Sequence, residues 1–236
     1  METVFISGST GYLGRPLTQL LVSAGYDLHA LTRPQSIGKL ALGCTPVNGD
    51  ALDVSTFLHS VPAGSTYIHL TGVAHPSPTK AAEFRSIDQA SFRASLKAAT
   101  ANRVSHFVYV SVAHPAPVMH DYIAVRRECE AELNSSGLNA TVLRPWYILG
   151  RGHRWPYALI PFYKFAERIP NWREGARRLG LVTHEQMLAA LYNATASPPQ
   201  GIRILDVPAI REANFGATSA SQSVPSPTRR SSTLSA

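Results

Sequence analysis

The stretch Val4-Phe5-Ile6-Ser7-Gly8-Ser9-Thr10-Gly11-Tyr12-Leu13-Gly14, close to the start of the chain, decides the fold. Its apolar beginning is typical of a buried strand, and apolar residues then recur at helical spacing: Leu13, Leu17, Leu20 and Leu21. Between them, Gly8 can adopt a tight turn, Gly11 leaves room for a pyrophosphate, and Gly14 lets the helix pack closely. The first turn of that helix offers N–H groups to phosphates. A strand, a glycine turn and a helix in this order predict a nucleotide-binding site.

The spacing of these glycines, G-x-x-G-x-x-G, resembles that of the extended and atypical short-chain dehydrogenases/reductases, which include epimerase-like and NmrA-like proteins. The resemblance extends from about Met1 to Ile210. It implies an α/β fold, a doubly wound parallel sheet of the Rossmann type, with a small substrate-side lobe. It also implies that the whole glycine turn binds NAD(P), through Gly8, Ser9, Thr10, Gly11, Tyr12, Leu13 and Gly14.

The composition is that of an ordinary globular protein. Of the 236 residues 44% are hydrophobic, and no apolar run approaches the ~20 residues of a membrane span. We expect no secretory signal, because the first strand begins almost at once. The two cysteines, Cys44 and Cys129, lie far apart without metal-type spacing, which is typical of reduced thiols. These features predict a cytoplasmic protein.

The charge of the chain bears on its partners. The net charge is +7, and basic residues are concentrated in Lys164–Arg178 and at Arg229-Arg230. No nucleic-acid-binding motif accompanies them, so we expect a basic face that attracts an anionic cofactor or substrate, and no nucleic-acid partner. The nine histidines show no pair at metal-ligand helical spacing with a carboxylate, which predicts no metal.

The end of the second predicted strand, Tyr26–Leu31, bears on the choice of cofactor. An acidic residue roughly 20 residues after the glycine turn would bind the ribose 2′-hydroxyl of NAD, and the sequence has none there. Arg33 stands at this point instead, and its planar, permanently charged guanidinium suits a 2′-phosphate. The sequence therefore favours NADP over NAD, and the alternative interpretation of Arg33 is a surface arginine.

The segment after the third predicted strand, Thr45–Asn48, resembles an adenine-binding part of the same superfamily. Gly49-Asp50-Ala51-Leu52-Asp53 matches the pattern G-D-x-x-D, which implies that Asp50 and Ala51 lie beside the adenine. The alternative is that Asp50 or Asp53 simply caps a helix predicted over Val54–His59.

Two later strand ends complete the predicted cofactor site. Thr71, Gly72 and Val73 follow the predicted strand Thr66–Leu70, and the resemblance implies that they face the nicotinamide ribose. Arg144-Pro145 follows the strand Asn139–Leu143 and resembles the L-R-P-x-x-x-x-G segment of epimerase-like members. On that resemblance we assign Pro145 to the cofactor-binding set.

The candidate catalytic residues follow the fifth predicted strand, His106–Val112. The superfamily uses a Ser or Thr after this strand and a Tyr-x-x-x-Lys on the next helix, which implies roles for Ser111, Tyr122 and Arg126. Ser111 would bond a substrate carbonyl or hydroxyl, and Tyr122 would transfer the proton. Arg126 shares a helix face with Tyr122, so its charge would lower the phenol pKa and its donors would reach the ribose.

This constellation departs from the family pattern. Arg126 stands where the family has lysine, and arginine keeps the charge but cannot pass a proton along. The interval between Ser111 and Tyr122 is short and crowded by His114, His120 and Asp121, one of which would replace or assist the tyrosine. Tyr122 is therefore interpreted either as the working acid/base or as a residue that only lines the cofactor pocket.

The rest of the chain organises around this site. Lys80–Ala101 is predicted as one helix whose apolar stripe is a packing face: Phe84, Ile87, Ala90, Ala94 and Ala98. Residues 1–211 are predicted to form the NAD(P)-binding domain, with 146–183 as the small lobe and 212–236 as a disordered tail. His153, Arg154 and Trp155 are candidates for contacting a polar or acidic substrate. The lobe's apolar helix, Leu159–Ile169, is expected to pack internally and not to meet a membrane or quinone.

The end of the domain has its own signals. Thr183 with Gln186 fits a capping box for a helix over Glu185–Ala196, and Ile202–Val207 is predicted as the last strand.

Two functions remain open at this point. The first is an NADP(H)-dependent oxidoreductase, or an epimerase-like enzyme, acting on a small molecule. The second is a non-catalytic NAD(P)-binding protein, a redox-sensing regulator or an assembly subunit of NmrA-like type. The retained Ser111 and Tyr122 favour the first, and Arg126 in place of lysine favours the second. A homodimer through helices of the sheet is open in both cases.

Overall fold

The structure is a computed structural model that describes residues 1–149 and 179–215. Its strands are β1 Thr3–Ser7, β2 Asp27–Thr32, β3 Thr45–Asn48, β4 Thr66–His69, β5 His106–Val110, β6 Ala140–Arg144, β7 Tyr147–Leu149, β8 Leu181–Thr183 and β9 Ile202–Asp206. A seven-stranded sheet has the order β3-β2-β1-β4-β5-β6-β9, and each neighbouring pair in it is parallel. The short strands β7 and β8 pair with each other separately. The predicted doubly wound parallel sheet is confirmed.

Helices cover both faces of the large sheet. They are α1 Gly14–Ser23, α2 Ala81–Glu83, α3 Ala90–Ala101, α4 His120–Ser135, α5 His184–Ala196 and α6 Val207–Glu212. A π-helical segment, Phe84–Gln89, joins α2 directly to α3. Since the strands are parallel, each connection returns the chain to the same edge, and the ends of all seven strands point the same way.

Two hydrophobic cores lie on opposite faces of the sheet, because successive side chains of a strand alternate between faces. Along β1, Val4 and Ile6 pack in a core with residues of α1, α5 and α6, whereas Phe5 packs in a core with residues of α3 and α4. All three side chains are fully buried. A parallel sheet buried on both faces needs apolar side chains at every position, which explains the unbroken apolar run in the sequence.

The helix predicted over Val54–His59 is replaced by two 3₁₀ turns, Val54–Thr56 and Leu58–Ser60. Asp53 Oδ1 accepts the Ser55 N–H at 3.0 Å, and the Thr56 hydroxyl donates to the Asp53 carbonyl at 2.7 Å. These local bonds close a tight turn in place of a longer α-helix. The alternative role of Asp53, as a cap, is confirmed.

The helix predicted over Lys80–Ala101 is present but not uniform. A 3₁₀ turn over Pro78–Lys80 precedes α2, and the π-helical segment Phe84–Gln89 interrupts the α-helical repeat. The wider π turn changes which residues face the sheet, and it buries Asp88 as well as Phe84. The predicted apolar stripe does pack, since Phe84, Ala94 and Ala98 belong to a buried core, but the charged Asp88 is buried beside it.

The C-terminal elements agree with the sequence prediction to within one residue at most ends. The capping box is confirmed, since Thr183 Oγ1 accepts the Gln186 N–H at 3.1 Å and Gln186 Oε1 accepts the Thr183 N–H at 2.8 Å. The last strand, β9, ends at Asp206, because Val207 begins the unpredicted helix α6, which has a proline in its first turn.

Several predictions concern residues outside the described ranges. They include the apolar helix Leu159–Ile169, the substrate contacts of His153, Arg154 and Trp155, and most of the tail after Glu212. Within residues 1–149 and 179–215, no helix has the length and apolar composition that crossing a membrane requires.

Candidate functional site

The glycine turn lies at the point where the strand order of the sheet changes direction. From β1 the chain proceeds to β2 and β3 on one side, and β4 pairs with β1 on the other. Gly8 has the left-handed φ of 78°, and a Cβ there would lie 2.6 Å from the Leu70 carbonyl carbon. At Gly14, a Cβ would overlap the Gly8 carbonyl oxygen. Both glycines are thus required by close backbone packing, and the crevice they leave is where open parallel sheets bind ligands.

The N-terminus of α1 opens onto this crevice. Its N-cap residue, Leu13, makes no side-chain cap, and the first turn of this described helix contains no acidic residue. The first N–H groups of a helix have no intrahelical partner and carry a partial positive charge, so they suit a pyrophosphate. The described residues around the turn therefore fit a dinucleotide. His184, the first residue of α5, packs on the turn through its Nε2, 3.2 Å from the Tyr12 carbonyl oxygen.

The residues assigned to the adenosine half of the cofactor follow β2 and β3. Arg33 is exposed at the end of β2, where it precedes the 3₁₀ helix Pro34–Lys39. Asp50 is exposed after β3, and its Oδ1 accepts the Leu52 N–H at 3.0 Å. The buried Ser9 hydroxyl ties the glycine turn to β2 by donating to the Leu31 carbonyl at 3.2 Å. Arg33 and Asp50 thus stand at adjacent strand ends, and their contacts with a nucleotide stay predictions.

Two buried hydroxyls lie at the strand ends where the sequence predicts the nicotinamide half of the site. Thr71 Oγ1 and Ser111 Oγ are buried and have no hydrogen-bond partner among the described residues. Because β4 and β5 pair with His69 opposite Tyr109, Thr71 and Ser111 follow at equivalent positions of neighbouring strands. A buried hydroxyl without a partner costs about 1–3 kcal/mol, so these two groups fit a site that binds a polar ligand.

Arg126 lies at the centre of a buried polar cluster. Its Nη1 donates to the Val110 carbonyl at 2.9 Å and to the Tyr109 hydroxyl at 3.2 Å, and its Nη2 forms an ion pair with Asp88 Oδ1. Asp88 Oδ2 accepts the Val73 N–H at 3.1 Å. The cluster therefore joins the end of β4, the end of β5 and α4. These Arg126 donors bond protein groups here, and the predicted contact with a ribose stays a prediction.

Tyr122 is held between an arginine and an aromatic ring. The Arg126 guanidinium carbon lies 4.9 Å from the Tyr122 ring centroid, and the Phe84 ring centroid lies 4.9 Å away. Burial raises the pKa of Tyr122, the Arg126 charge opposes that rise, and the Asp88 carboxylate adds to it. From the sequence, only the effect of Arg126 on Tyr122 was considered, and a lowered pKa of the Tyr122 phenol was expected. That expectation was wrong, because burial and Asp88 outweigh the arginine.

The residues that crowd the interval before Tyr122 have other contacts. His114 Nε2 lies 3.5 Å from Glu130 Oε2, and Arg144 Nε donates to the same carboxylate at 3.1 Å. The pKa of His114 is lowered, chiefly by burial and then by the Arg144 charge. His120 and Asp121 are exposed in the first turn of α4. His114 is thus part of a separate ionic group on the α4 side of β6.

Pro145 is buried after β6, and its carbonyl accepts the Ala113 N–H at 2.9 Å. This bond, with the Ser111 N–H donating to the Leu143 carbonyl at 2.7 Å, extends the contact between β5 and β6 toward the site. Sequence reasoning missed Asp88 and Tyr109. The available signal was an aspartate one helical turn after Phe84, inside a predicted packing face.

Comparison with known families follows from this geometry. A family model described as NAD(P)H-binding matches residues 8–158, which include the glycine turn, both buried hydroxyls and Tyr122. The chain belongs to this NAD(P)H-binding family. The matched range covers more than half of the chain, and the predicted membership of an NAD(P)-binding family is thereby confirmed. A nicotinamide cofactor is supported by the same match.

Curated proteins that are similar to this chain include reductases. The chain is 26% identical over 204 residues to the 4-hydroxy-2-methyl-3-oxo-4-farnesyl-3,4-dihydroquinoline-1-oxide ketoreductase of Stigmatella aurantiaca, with 76% of this chain and 60% of the relative covered. It is 26% identical over 201 residues to the ceramide reductase of Caulobacter vibrioides, with 84% and 62% covered. The chain thus spans about 60% of the length of these curated relatives.

Solved structures of nicotinamide-binding enzymes share the fold. The chain is similar to the Bordetella bronchiseptica enzyme WbmH in complex with NAD+, with a TM-score of 0.65, 19% identity, and 87% and 75% of the two chains covered. It is also similar to the Thermus thermophilus UDP-glucose 4-epimerase in complex with NAD, with a TM-score of 0.62, 16% identity, and 89% and 81% covered.

Proposed function

We propose that this protein is an NADP(H)-dependent oxidoreductase that interconverts a ketone and an alcohol. The observation that carries the proposal is the pair of buried hydroxyls without partners, Thr71 and Ser111, at adjacent strand ends in a family of nicotinamide-binding proteins. The nearby α4 supplies Tyr122, a phenol that can exchange a proton with the substrate oxygen.

Each part of the proposed site has a separate role in cofactor binding or proton transfer. The glycine turn and the start of α1 bind the pyrophosphate, Arg33 binds the 2′-phosphate, and Asp50 lies beside the adenine. The bound nicotinamide supplies or accepts a hydride. The Ser111 hydroxyl donates a hydrogen bond to the substrate oxygen and orients the carbonyl, and Tyr122 transfers the proton to or from the same oxygen.

For the substrate we propose a ketone on a lipophilic molecule. Two relatives support this choice, since one is named as a ketoreductase of a farnesylated quinoline oxide and the other as a ceramide reductase. The matches to these relatives cover 76% and 84% of this chain, so both must include part of the NAD(P)H-binding range 8–158.

A second candidate is a non-catalytic NAD(P)-binding protein. Arg126 favours it, because both of its Nη groups bond Asp88, Tyr109 and Val110 in the described part of the chain, and arginine cannot relay a proton as lysine does. The two candidates differ in a simple outcome. Both bind the cofactor, and only the first consumes it when a ketone is present.

The first experiment is a fluorescence titration with NADPH and NADH on the wild type and on Arg33→Ala. A charge-assisted hydrogen bond contributes about 1.5–3 kcal/mol, so the substitution should weaken NADPH binding about tenfold or more and leave NADH binding unchanged. Arg127→Ala, which removes an exposed arginine from α4, is the matched control and should bind both cofactors as the wild type does.

Each outcome of the titration decides a separate point. Equal affinity of the wild type for the two cofactors would remove the role of Arg33. Absence of binding by either cofactor would refute the proposed function. If NADPH binds, its oxidation with 2-dodecanone and with 2-butanone tests the preference for a lipophilic ketone. Turnover that Ser111→Ala or Tyr122→Phe abolishes supports the enzyme, and binding without turnover supports the second candidate.

A further inference from the structure

The Asp88–Arg126 cluster, defined as Asp88, Tyr109, Tyr122 and Arg126, has a feature that the proposed function does not use. Its carboxylate is almost fully buried, with 1% of the Asp88 side chain exposed, and 8% of the Arg126 side chain is exposed. A buried carboxylate is costly unless it is paired, so its presence beside the proton-transferring phenol calls for a physical role.

We propose that Asp88 is a positioning residue that, through Arg126, keeps Tyr122 a neutral phenol, so that the site reduces carbonyls at neutral pH. The inference rests on the proposed function and deepens it, because it assigns the direction for which the site is prepared. The residues on which it depends are all in the described part of the chain.

A hydrogen bond and an ion pair fix the position of Asp88 relative to Arg126. One carboxylate oxygen bonds the Val73 N–H at 3.1 Å and the other forms the ion pair with Nη2, so the carboxylate is fixed at both ends. Arg126 in turn is fixed by the Val110 carbonyl at 2.9 Å. With its two Nη groups so bonded, the guanidinium plane stays beside the Tyr122 ring, 4.9 Å from the ring centroid.

Asp88 affects the protonation of Tyr122 through its negative charge. An unpaired arginine at this distance would favour the phenolate and make Tyr122 a base. Burial is the largest influence and disfavours the phenolate, and the Asp88 carboxylate opposes the Arg126 charge, so the pKa of Tyr122 is raised. The other titratable groups of the cluster's surroundings are uncharged at neutral pH: His69 of β4, whose pKa is lowered to about 3, Tyr109 of β5 and Cys129 of α4.

A neutral phenol suits only one direction of proton transfer. In reduction, the carbonyl carbon gains a hydride from the reduced nicotinamide while the carbonyl oxygen takes the proton of Tyr122. The O–H bond of the phenol breaks, an O–H bond of the alcohol forms, and water reprotonates the tyrosinate. In oxidation, Tyr122 would have to accept the hydroxyl proton as a phenolate, a form that this cluster suppresses at neutral pH.

The test is a pH titration of the full chain labelled with [¹³Cζ]tyrosine, followed by NMR, with the Tyr122 signal assigned through Tyr122→Phe. In the wild type, Tyr122 should remain a phenol up to at least about pH 9, below the ordinary tyrosine pKa of about 10. Asp88→Asn keeps an acceptor for the Val73 N–H and removes the charge. It should lower the titration midpoint by about one pH unit, because a neighbouring charge acts on that scale.

The control is Glu132→Gln, which removes a carboxylate that pairs with Arg93 at 2.6 Å on the outer side of α4. It should leave the Tyr122 midpoint unchanged. Arg126→Gln should move the midpoint upward, opposite to Asp88→Asn. An unchanged midpoint in Asp88→Asn would overturn the proposal. If that variant does not fold, as far-UV circular dichroism would reveal, a wild-type Tyr122 midpoint at or below the ordinary tyrosine pKa of about 10 overturns it equally.

The result is separable from the proposed function. NADPH titration of the wild type tests cofactor binding without Asp88, and failure to bind refutes the oxidoreductase whatever the NMR signal does. Intact NADPH binding with an unchanged Tyr122 midpoint refutes the inference alone. If both hold, ketone reduction by the wild type should be constant through neutral pH. As the pH is raised further, the rate should begin to decline at a lower pH in Asp88→Asn than in the wild type.

Discussion

Replacing Gly72 with alanine tests whether the Asp88–Arg126 pair packs against the end of β4. A Cβ at this position would lie 2.9 Å from Arg126 Nη2 and 2.9 Å from Asp88 Oδ1. Heavy atoms do not approach a Cβ so closely, so either the ion pair or the loop must move. Gly72 does not have a left-handed φ, and the added methyl group therefore acts through space alone.

The expected loss of stability depends on whether the added methyl group displaces the ion pair or separates it. Overpacking a well-packed site costs about 1–3 kcal/mol, and complete loss of one partner of a buried ion pair costs about 3–5 kcal/mol. The overlap at Gly72 is a few tenths of an ångström and the loop is exposed, so displacement without full separation is expected. We predict a loss of about 2 kcal/mol in the free energy of unfolding and a Tm lower by about 4–8 °C.

Urea unfolding followed by far-UV circular dichroism measures this loss. The matched control is Gly38→Ala, because nothing lies within 4 Å of a Cβ at Gly38 and its φ is not left-handed either. The control should stay within about 0.5 kcal/mol of the wild type. If Gly72→Ala proves as stable as Gly38→Ala, the ion pair does not pack against the β4 loop as described.

Two further predictions concern stability. Thr183→Ala removes the hydroxyl that accepts the Gln186 N–H and should lower the free energy of unfolding by about 1 kcal/mol, whereas Thr100→Ala, at an exposed position of α3, should change it little; equal losses would contradict the cap. His69 is buried and neutral, because burial and then the Arg126 charge lower its pKa from 6.5 to about 3. Its contribution is therefore complete above pH about 6.5 and declines as the pH falls toward about 3, since only the unfolded chain binds the proton in that window. Urea unfolding from pH 7 to pH 5 should show a steeper loss in the wild type than in His69→Gln, by up to about 1.4 kcal/mol per pH unit, and parallel slopes would refute this account.

The sheet could be predicted from the sequence because most of its strands carry apolar side chains on both faces. A strand buried on both sides must be apolar at successive positions, and a short apolar run between turn residues is then sufficient to find it. The third strand, Thr45–Asn48, was predicted with the observed bounds, although its side chains are mostly exposed. The order of strands and helices then determined the shared edge at which Ser111 and Thr71 lie.

The polar cluster could not be predicted by the same reasoning. Burial of Asp88 depends on a partner 38 residues later, and no local pattern contains that distance. Spacing alone does place Asp88 one helical turn after Phe84, but it cannot show that a charged residue at that position is buried. A buried charge has meaning only together with its partner, so it becomes visible once the two helices are placed.

The interpretation of Arg126 changes once its partner Asp88 is known. Taken alone, arginine in the position of the family's lysine indicates a lost proton relay and a site with weakened chemistry. With Asp88 beside it, the same arginine is one half of a neutral pair that fixes two strand ends, through Val73 and Val110, and leaves Tyr122 protonated. On the proposed function, this arginine alters the direction that the site favours and need not abolish the activity. Sequence reasoning considered Tyr122 with Arg126 alone and predicted a lowered phenol pKa, whereas burial, and after it the Asp88 carboxylate, raises that pKa against the Arg126 charge.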